Sequence, residues 1–412
     1  MELPESVPVH RYAGPVFLAA TFCACALLVI DNGLALFAAG LAATTLMQWQ
    51  GARHGARQPM PGLGLLVRLV MFVLGTVAMS AHAHGKPLDA LDNPARLLLI
   101  PWCAWLAHAT GVRREGLWSG ALLGVALAFV IACRDVAMNA PRASGGGNPI
   151  VFAQLTLGLL VIVLFAAPAT LPRAVRMVQM VVLSMGALVI LWSGSRGTLA
   201  ALVCLLAVAV LRQTVRIHVH RAGAIALLII AVAAIVWFTP AFRSPLRLDF
   251  IGPDLQRFVS GNPDTPIGAR LELLALAWQQ FIAHPWQGIG LGNFGEVVQQ
   301  LPGCQRVPPM GMCVLAHAHN DLAEWSATMG VPGLLAILCV YAVPMTMFAA
   351  IIRTCADEAA RRAAWTGAML IMAYAICGLS QSMFSHAATA SAYAVLTGTL
   401  LGIAMRPVRC AT

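Results

Sequence analysis

The sequence predicts an all-α integral membrane protein of about twelve transmembrane helices, with one large outward loop that contains an amphipathic helix. Three observations predict it. Of the 412 residues 59% are hydrophobic and only 10% charged, against about 25% charged in an ordinary soluble domain, and the mean hydropathy is +0.80. The apolar residues are gathered into blocks of about 13 to 23, the longer of which can cross a ~30 Å hydrocarbon core at ~1.5 Å per residue. Basic residues crowd every second connection, as the cytoplasmic bias of Lys and Arg demands. Leu, Ala, Val and Ile fill the blocks with scattered Gly and Pro, whereas outer-membrane strands would alternate over ~10 residues.

The spans fall at 15–30, 33–49, 63–83, 96–110, 117–133, 150–168, 177–193, 199–211, 222–239, 330–352, 364–384 and 392–405. The first runs into Asp31-Asn32 without a small-residue cleavage site, so it reads as a retained helix and not a signal peptide. The third carries Arg68 about a turn and a half in, an arginine expected to snorkel inward. Before the sixth, Gly145-Gly-Gly-Asn-Pro149 reads as a flexible outer loop facing substrate, with no chemistry of its own. With both termini inside, the cytoplasmic connections hold Arg53 and Arg57, Arg113 and Arg114, Arg173 and Arg176, Arg212, Arg216 and Arg221, and Arg353, Arg361 and Arg362. Arg11 and Arg406 with Arg409 sit on the two ends. The short outer connections hold only Lys86, Arg134, Arg142 and Arg196. The net charge of +10 is therefore read as topology, and nucleic acid is not an expected partner.

Residues 1–239 form a first helical region, 240–329 the outer loop, and 330–412 the last three spans. In the loop, Gly268 to His284 reads as an amphipathic helix, with Leu271, Leu274, Ala275, Trp278, Phe281 and Ile282 at helical spacing. Leu273 and Leu276 fall off that stripe, so the apolar face is broad and the helix suits a membrane surface. Pro285 ends it, and Gly288-Ile-Gly-Leu-Gly-Asn-Phe294 follows as a turn too irregular for a dinucleotide fingerprint. Most of the eleven cysteines lie in spans as small apolar residues. Cys304 and Cys313 lie in the outer loop, where an oxidising compartment allows a disulfide; the alternative is two free thiols.

Polar residues of chemical interest gather at the outer face. In Trp192-Ser-Gly-Ser-Arg-Gly-Thr198 a tight hairpin holds Arg196 near the hydrocarbon boundary, as a snorkelling cation or as an anion clamp whose planar fork matches phosphate oxygens. Arg270 opens the loop helix, where a cation opposes the macrodipole; it is either an ordinary exposed arginine or one that shares an anionic ligand with the helix end. His317 and His319 open Ala316-His-Ala-His-Asn-Asp321, where the loop re-enters the membrane. A metal reading fares worse than a general base there, because few carboxylates are at hand and neutral imidazole takes a proton near pH 7. His386 reads as a surface histidine.

These residues bear a resemblance. His319-Asn320, nine residues, then Gly330-x-x-Gly333 resembles the signature of bacterial O-antigen ligases. Ser193-Gly-Ser-Arg-Gly-Thr198 resembles the Ser-x-Ser-Arg-Gly hairpin of the wider ligase and polymerase superfamily. The stretch from Arg270 through Phe281, His284-Pro285, Gly288, Gly290 and Gly292-Asn-Phe294 resembles a block the same proteins share. The resemblance covers nearly the whole chain and implies a glycosyltransferase at the periplasmic face of the inner membrane. Its donor is O-antigen polysaccharide on undecaprenyl diphosphate, its acceptor a sugar hydroxyl of lipid A–core, and membrane lipids surround it. It implies that Arg196 and Arg270 bind the diphosphate and that His319 activates the acceptor. Asn320 and Ser195 are supporting residues, and His317 is a second polar contact or structural. No metal and no cofactor are expected. The runners-up are an O-antigen polymerase, a protein O-oligosaccharyltransferase and, from another class, a secondary transporter. The transporter is disfavoured because no internal repeat is visible and charges are scarce within the spans.

Overall fold

Uninterrupted runs of Leu, Val, Ile and Ala in hydrocarbon can satisfy their backbone only as helices, because lipid offers no partners. The computed structural model describes residues 9–52, 59–214, 248–307 and 309–406, and its regular elements are helical throughout. In chain order they are α1 (Ala13–Ala26), α2 (Ala35–Ala52), α3 (Leu63–Ala83), α4 (Asp92–Ala95), α5 (Leu99–Thr110), α6 (Arg114–Ala137), α7 (Pro149–Phe165), α8 (Arg173–Ser193) and α9 (Arg196–Thr214). Then follow α10 (Ile251–Val259), α11 (Pro266–Ala283), α12 (Phe294–Gln299), α13 (Asp321–Thr354), α14 (Glu358–Gly378) and α15 (Ala387–Ala404).

Five of these, α3, α6, α8, α13 and α15, are long and apolar enough to cross a membrane, and α1, α7 and the apolar parts of α2 and α9 are shorter apolar helices. The chain is a multi-pass membrane protein on this basis. The expected ninth span, 222–239, lies outside the described residues, as do Arg53, Arg57, Arg216, Arg221, Arg243, Arg247 and Arg409.

Small residues set the closest helix pairs. Gly116, Gly120 and Gly124 form a stripe on α6 that lies against α1; a Cβ on Gly120 would stand 2.4 Å from the Phe22 carbonyl oxygen. Gly398 and Gly402 on α15 do the same on α5, with added Cβ atoms 2.4 and 2.2 Å from the carbonyl oxygens of Ile100 and Ala104. Small residues four apart let backbones approach where lipid tails supply no hydrophobic drive. α15, buried from Thr389 to Ala404, is the central post against which α5, α13 and α14 pack.

Two boundaries differ from the sequence expectation, and both matter for the site. α14 stops at Gly378 and not near 384, so residues 379–386 form a connection containing the short turn Met383–Ser385. α13 starts at Asp321 and breaks at Gly330, whose backbone (φ 67°, ψ −153°) suits glycine. The glycine-rich turn after α11 seats in that break. Ile289 and Gly290 N–H donate to the carbonyls of Ala327 (2.9 Å) and Thr328 (3.0 Å), and Val331 N–H donates to Pro285 O (2.7 Å). A Cβ on Gly330 would lie 2.4 Å from Pro285 O, and one on Gly288 2.2 Å from the Thr328 carbonyl carbon. The carbonyls freed by the break are thus partnered by the loop, and the loop is fixed to the bundle.

The loop has its own small core of Ala269, Leu273, Leu276, Ala277, Phe294, Val298, Met312, Ala318 and Ala327. The amphipathic helix exists, as α11, and it is the residues off the predicted stripe that turn toward the protein. Leu273 and Leu276 face the protein, whereas Trp278 and Ile282 are 61% and 60% exposed. The stripe counted residues by spacing alone, and the residues left off it are the ones that meet Phe294 and Ala327. Cys304 and Cys313 form a disulfide that closes the tip of the loop.

Candidate active site

Three helices begin at one place. Pro149 at the start of α7 is preceded by Asn148, whose side chain accepts from Ile150 N–H (2.9 Å). α9 begins at Arg196 directly after the α8 terminus, where Gly194 takes a left-handed turn (φ 63°) that reverses the chain. α11 begins at Pro266, capped by Thr265, whose hydroxyl accepts from Gly268 N–H (3.0 Å). Ile150, Arg196 with Gly197, and Pro266 from these three starts line one cavity of about 70 Å³ together with Gly194, Ser195, Arg142, Arg270 and Ser380. That is several times the ~10–15 Å³ that one water needs by the same measure. Helix N-termini carry partial positive charge, and three arginines add full charges to the same space. An anion fits such a place; three guanidiniums around a neutral group do not.

Arg270 is half-buried, and its guanidinium is pushed down from its usual range by burial and then by Arg196 beside it. The structure therefore brings Arg196 and Arg270, 74 positions apart, into one electrostatic neighbourhood. Ser195 lines the cavity as well, but its hydroxyl is engaged with Thr198 Oγ1 (2.8 Å), so it shapes the hairpin.

Arg142 is the residue that the sequence reading passed over. The loop before α7, expected to be flexible, is held by buried Asp135, whose carboxylate accepts from Ser144 and Gly145 N–H, both at 2.9 Å. Ala143 N–H donates to Trp192 O (3.0 Å) and Arg142 Nε to Ser193 O (2.5 Å), which clamps the loop to the hairpin and leads Arg142 to the cavity. No motif marks it; only the acid at 135, nine residues before the turn it holds, hints at order.

Beside the arginines lies a group of imidazoles. His319 adopts a left-handed backbone (φ 53°), uncommon for a residue with a side chain. It is held there from both sides. Ala318 N–H donates to the buried Glu324 carboxylate (2.7 Å), and Asn320 caps α13 through Ala323 N–H (2.9 Å) while its amide donates to Leu379 O (3.1 Å). Asn320 thus orients His319 through the backbone. His317 stacks edge-on to His319 with ring centroids 4.8 Å apart, and to His386 at 5.2 Å. His386 is accordingly not a surface residue: it is half-buried and bonded to Gln381. Gln381, wholly buried, also bonds to His319 Nδ1.

Burial, then His317 and Arg270, lower His319 to about 4, and burial with His317 lowers His386 to about 4. Burial lowers His317 too. The imidazoles are neutral at pH 7, and His319 Nε2 is buried with no hydrogen-bond partner among the described residues. Among the described residues no group of three His, Cys, Asp or Glu side chains is arranged to hold a metal ion. What the arrangement can do is hold an anion and, next to it, accept a proton.

Residues 180–338 match a family model described as O-antigen ligase. No curated protein matches the chain. The matched segment contains Arg196, Arg270, His319, Asn320, Gly330 and Gly333, and leaves out Arg142, Gln381 and His386. All three motifs of the resemblance lie within these residues, and the match supports the O-antigen ligase superfamily that they resemble.

Proposed function

We propose that this protein ligates O-antigen polysaccharide from undecaprenyl diphosphate onto a sugar hydroxyl of lipid A–core, at the periplasmic face of the inner membrane. One observation carries the reading: an arginine-lined cavity at three helix starts lies beside a neutral histidine with a free ring nitrogen. A lipid-linked sugar diphosphate brings an anion and an electrophilic anomeric carbon to those two places. Arg196, Arg270 and Arg142 hold the diphosphate. His319 Nε2 takes the proton of the acceptor hydroxyl, whose oxygen attacks the anomeric carbon. The carbon–oxygen bond to the diphosphate breaks, and its electron pair leaves with the phosphate. Attack from the face opposite the leaving group inverts the anomeric centre. Charge that grows on the diphosphate is met by guanidiniums already in place, an electrostatic gain of roughly a few kcal/mol. Because the donor tail stays in the bilayer, the site belongs at the membrane boundary.

In this reading twelve spans keep both termini in the cytoplasm, residues 240–329 form the periplasmic region, and 1–239 and 330–412 supply the flanking helices. Deletion of the gene followed by gel separation of lipopolysaccharide tests it. A ligase leaves no ladder at all and accumulates lipid-linked polymer. A single-repeat band would instead make the protein a polymerase, and an unchanged ladder would end both readings.

A further inference from the structure

We infer that Gln381 is the positioning residue that fixes which ring nitrogen of His319 carries the hydrogen, leaving Nε2 as the proton acceptor. The inference rests on the function proposed above and concerns a residue outside the segment that matches the family model.

An amide offers an oxygen that can only accept and a nitrogen that can only donate. Gln381 lies between two imidazoles: its Oε1 faces His319 Nδ1, and its Nε2 faces His386 Nε2 at 2.8 Å. The oxygen requires a hydrogen on His319 Nδ1. The nitrogen donates to His386 Nε2, which is open to accept because His386 is neutral. His319 is left with its lone pair on Nε2, and that atom is buried and has no hydrogen-bond partner among the described residues. Turned around, the amide would put the hydrogen on His319 Nε2 and make His319 a donor, and His386 would then have to carry its own hydrogen on Nε2.

The amide is itself immobilised. Gln381 has no exposed surface, and its connection is tied to the turn that bears His319. Asn320 donates to Leu379 O (3.1 Å), and Phe384 N–H donates to the Asp321 carboxylate (3.3 Å). Its neighbour Ser380 lines the arginine cavity and packs so closely on the hairpin that a Cβ on Gly197 would come within 2.0 Å of its hydroxyl. One short connection therefore registers the base against the anion site. A carboxylate at this position would draw His319 toward imidazolium; a neutral amide orients it without doing so.

The test uses the full chain in lipid nanodiscs, with lipid-linked O-antigen as donor and lipid A–core as acceptor, over pH 4.5–8. The charged and titratable groups that face His319 are His317, His386 and Arg270, and none is altered. Wild-type turnover should stay level down to about pH 5, and His319→Ala should lose about 10²- to 10⁴-fold. Gln381→Ala should lose at least about tenfold in kcat, less than loss of the base itself, with donor KM unchanged. Gln381→Glu, nearly equal in shape, should move the acidic limb upward by about one pH unit, because a carboxylate on Nδ1–H favours the protonated ring. A merely structural role would not move that limb. Should Gln381→Ala fail to fold, the limb of Gln381→Glu decides. Wild-type turnover in Gln381→Ala, or an unmoved limb in Gln381→Glu, overturns the inference while an inactive His319→Ala still supports the reaction. A wild type that transfers nothing overturns the reaction and the inference together.

Discussion

At the scale of single residues, the three arginines are not equivalent in how they could be found. Arg196 and Arg270 stand in motifs whose resemblance implied one shared anion, and both line one cavity. Arg142 stands in a Gly-rich stretch with no pattern, and only the carboxylate of Asp135 makes that stretch ordered. We expect Arg142→Ala, Arg196→Ala and Arg270→Ala each to weaken donor binding as well as turnover, because the diphosphate is charged before and after reaction. Arg→Lys should also impair each, since the charge remains and the planar fork does not. Titration of each variant with the lipid-linked donor, alongside transfer rates, checks this; near-normal binding in all three alanine variants would remove the clamp. Gln381 escaped notice, and His386 was read as a surface residue, for a different reason. Leu379, Met383 and Phe384 carry the hydropathy of α14 past its real end, so Gln381 fell inside an expected span and its neighbours could not be assigned to a site. His319 itself was legible from its neighbour Asn320, but its left-handed backbone was not. Because burial lowers it to about 4, it is neutral at working pH, and transfer should fall only as acidity passes that value, the rate declining as pH drops. His317→Ala should be milder than His319→Ala; equal and total loss in both, with sensitivity to chelation, would speak for a metal instead.

At the scale of elements, two motifs that look separate in sequence are one joint. Gly288 after α11 and Gly330 of the Gly330-x-x-Gly333 pair leave the room for a loop backbone to enter a broken helix. A side chain on Gly330 would need both a strained backbone and the space of the Pro285 carbonyl, so Gly330→Ala should cost roughly 1–3 kcal/mol from the backbone alone. It should lower the thermal midpoint in detergent and reduce transfer by shifting α11, and with it Arg270, relative to His319. A wild-type midpoint and rate would show the joint to be dispensable. Element positions were readable from hydropathy because a lipid-spanning helix leaves a long apolar run. Element faces were less so: α11 has apolar residues nearly all round, and which side meets protein depended on Phe294 and Ala327, residues far away in sequence.

For the whole molecule, the alternation of basic residues predicts an orientation that reporter fusions test. Reporter fusions after Arg57 and after Arg362 should signal cytoplasm, and fusions near Pro263 periplasm; an external signal at Arg362 would overturn the twelve-span topology. The disulfide Cys304–Cys313 lies on the loop side and closes a short ring, so Cys304→Ser should loosen the loop tip by roughly a few kcal/mol at most and leave transfer measurable. Thermal midpoints with and without reductant measure it, and a loss of all transfer would mean that the tip reaches the chemistry. The all-helical class was visible in composition. The way distant segments close on one another was not, because each contact depends on a partner that hydropathy cannot pair.

The connection between α14 and α15 has a consequence for how the molecule is made. It follows Arg142 by about 240 residues, which at ~5–20 residues per second is roughly 10–50 s of translation. The arginines emerge first, then the histidine that follows them, and last the glutamine that orients it together with α15, the post that the other helices need. A nascent chain, or one released early by a broken message, holds the pieces of an anion cradle with nothing to orient the base beside it. In the proposed reaction, a chain still being made would therefore lack the residue that orients its base until the last helix is in place.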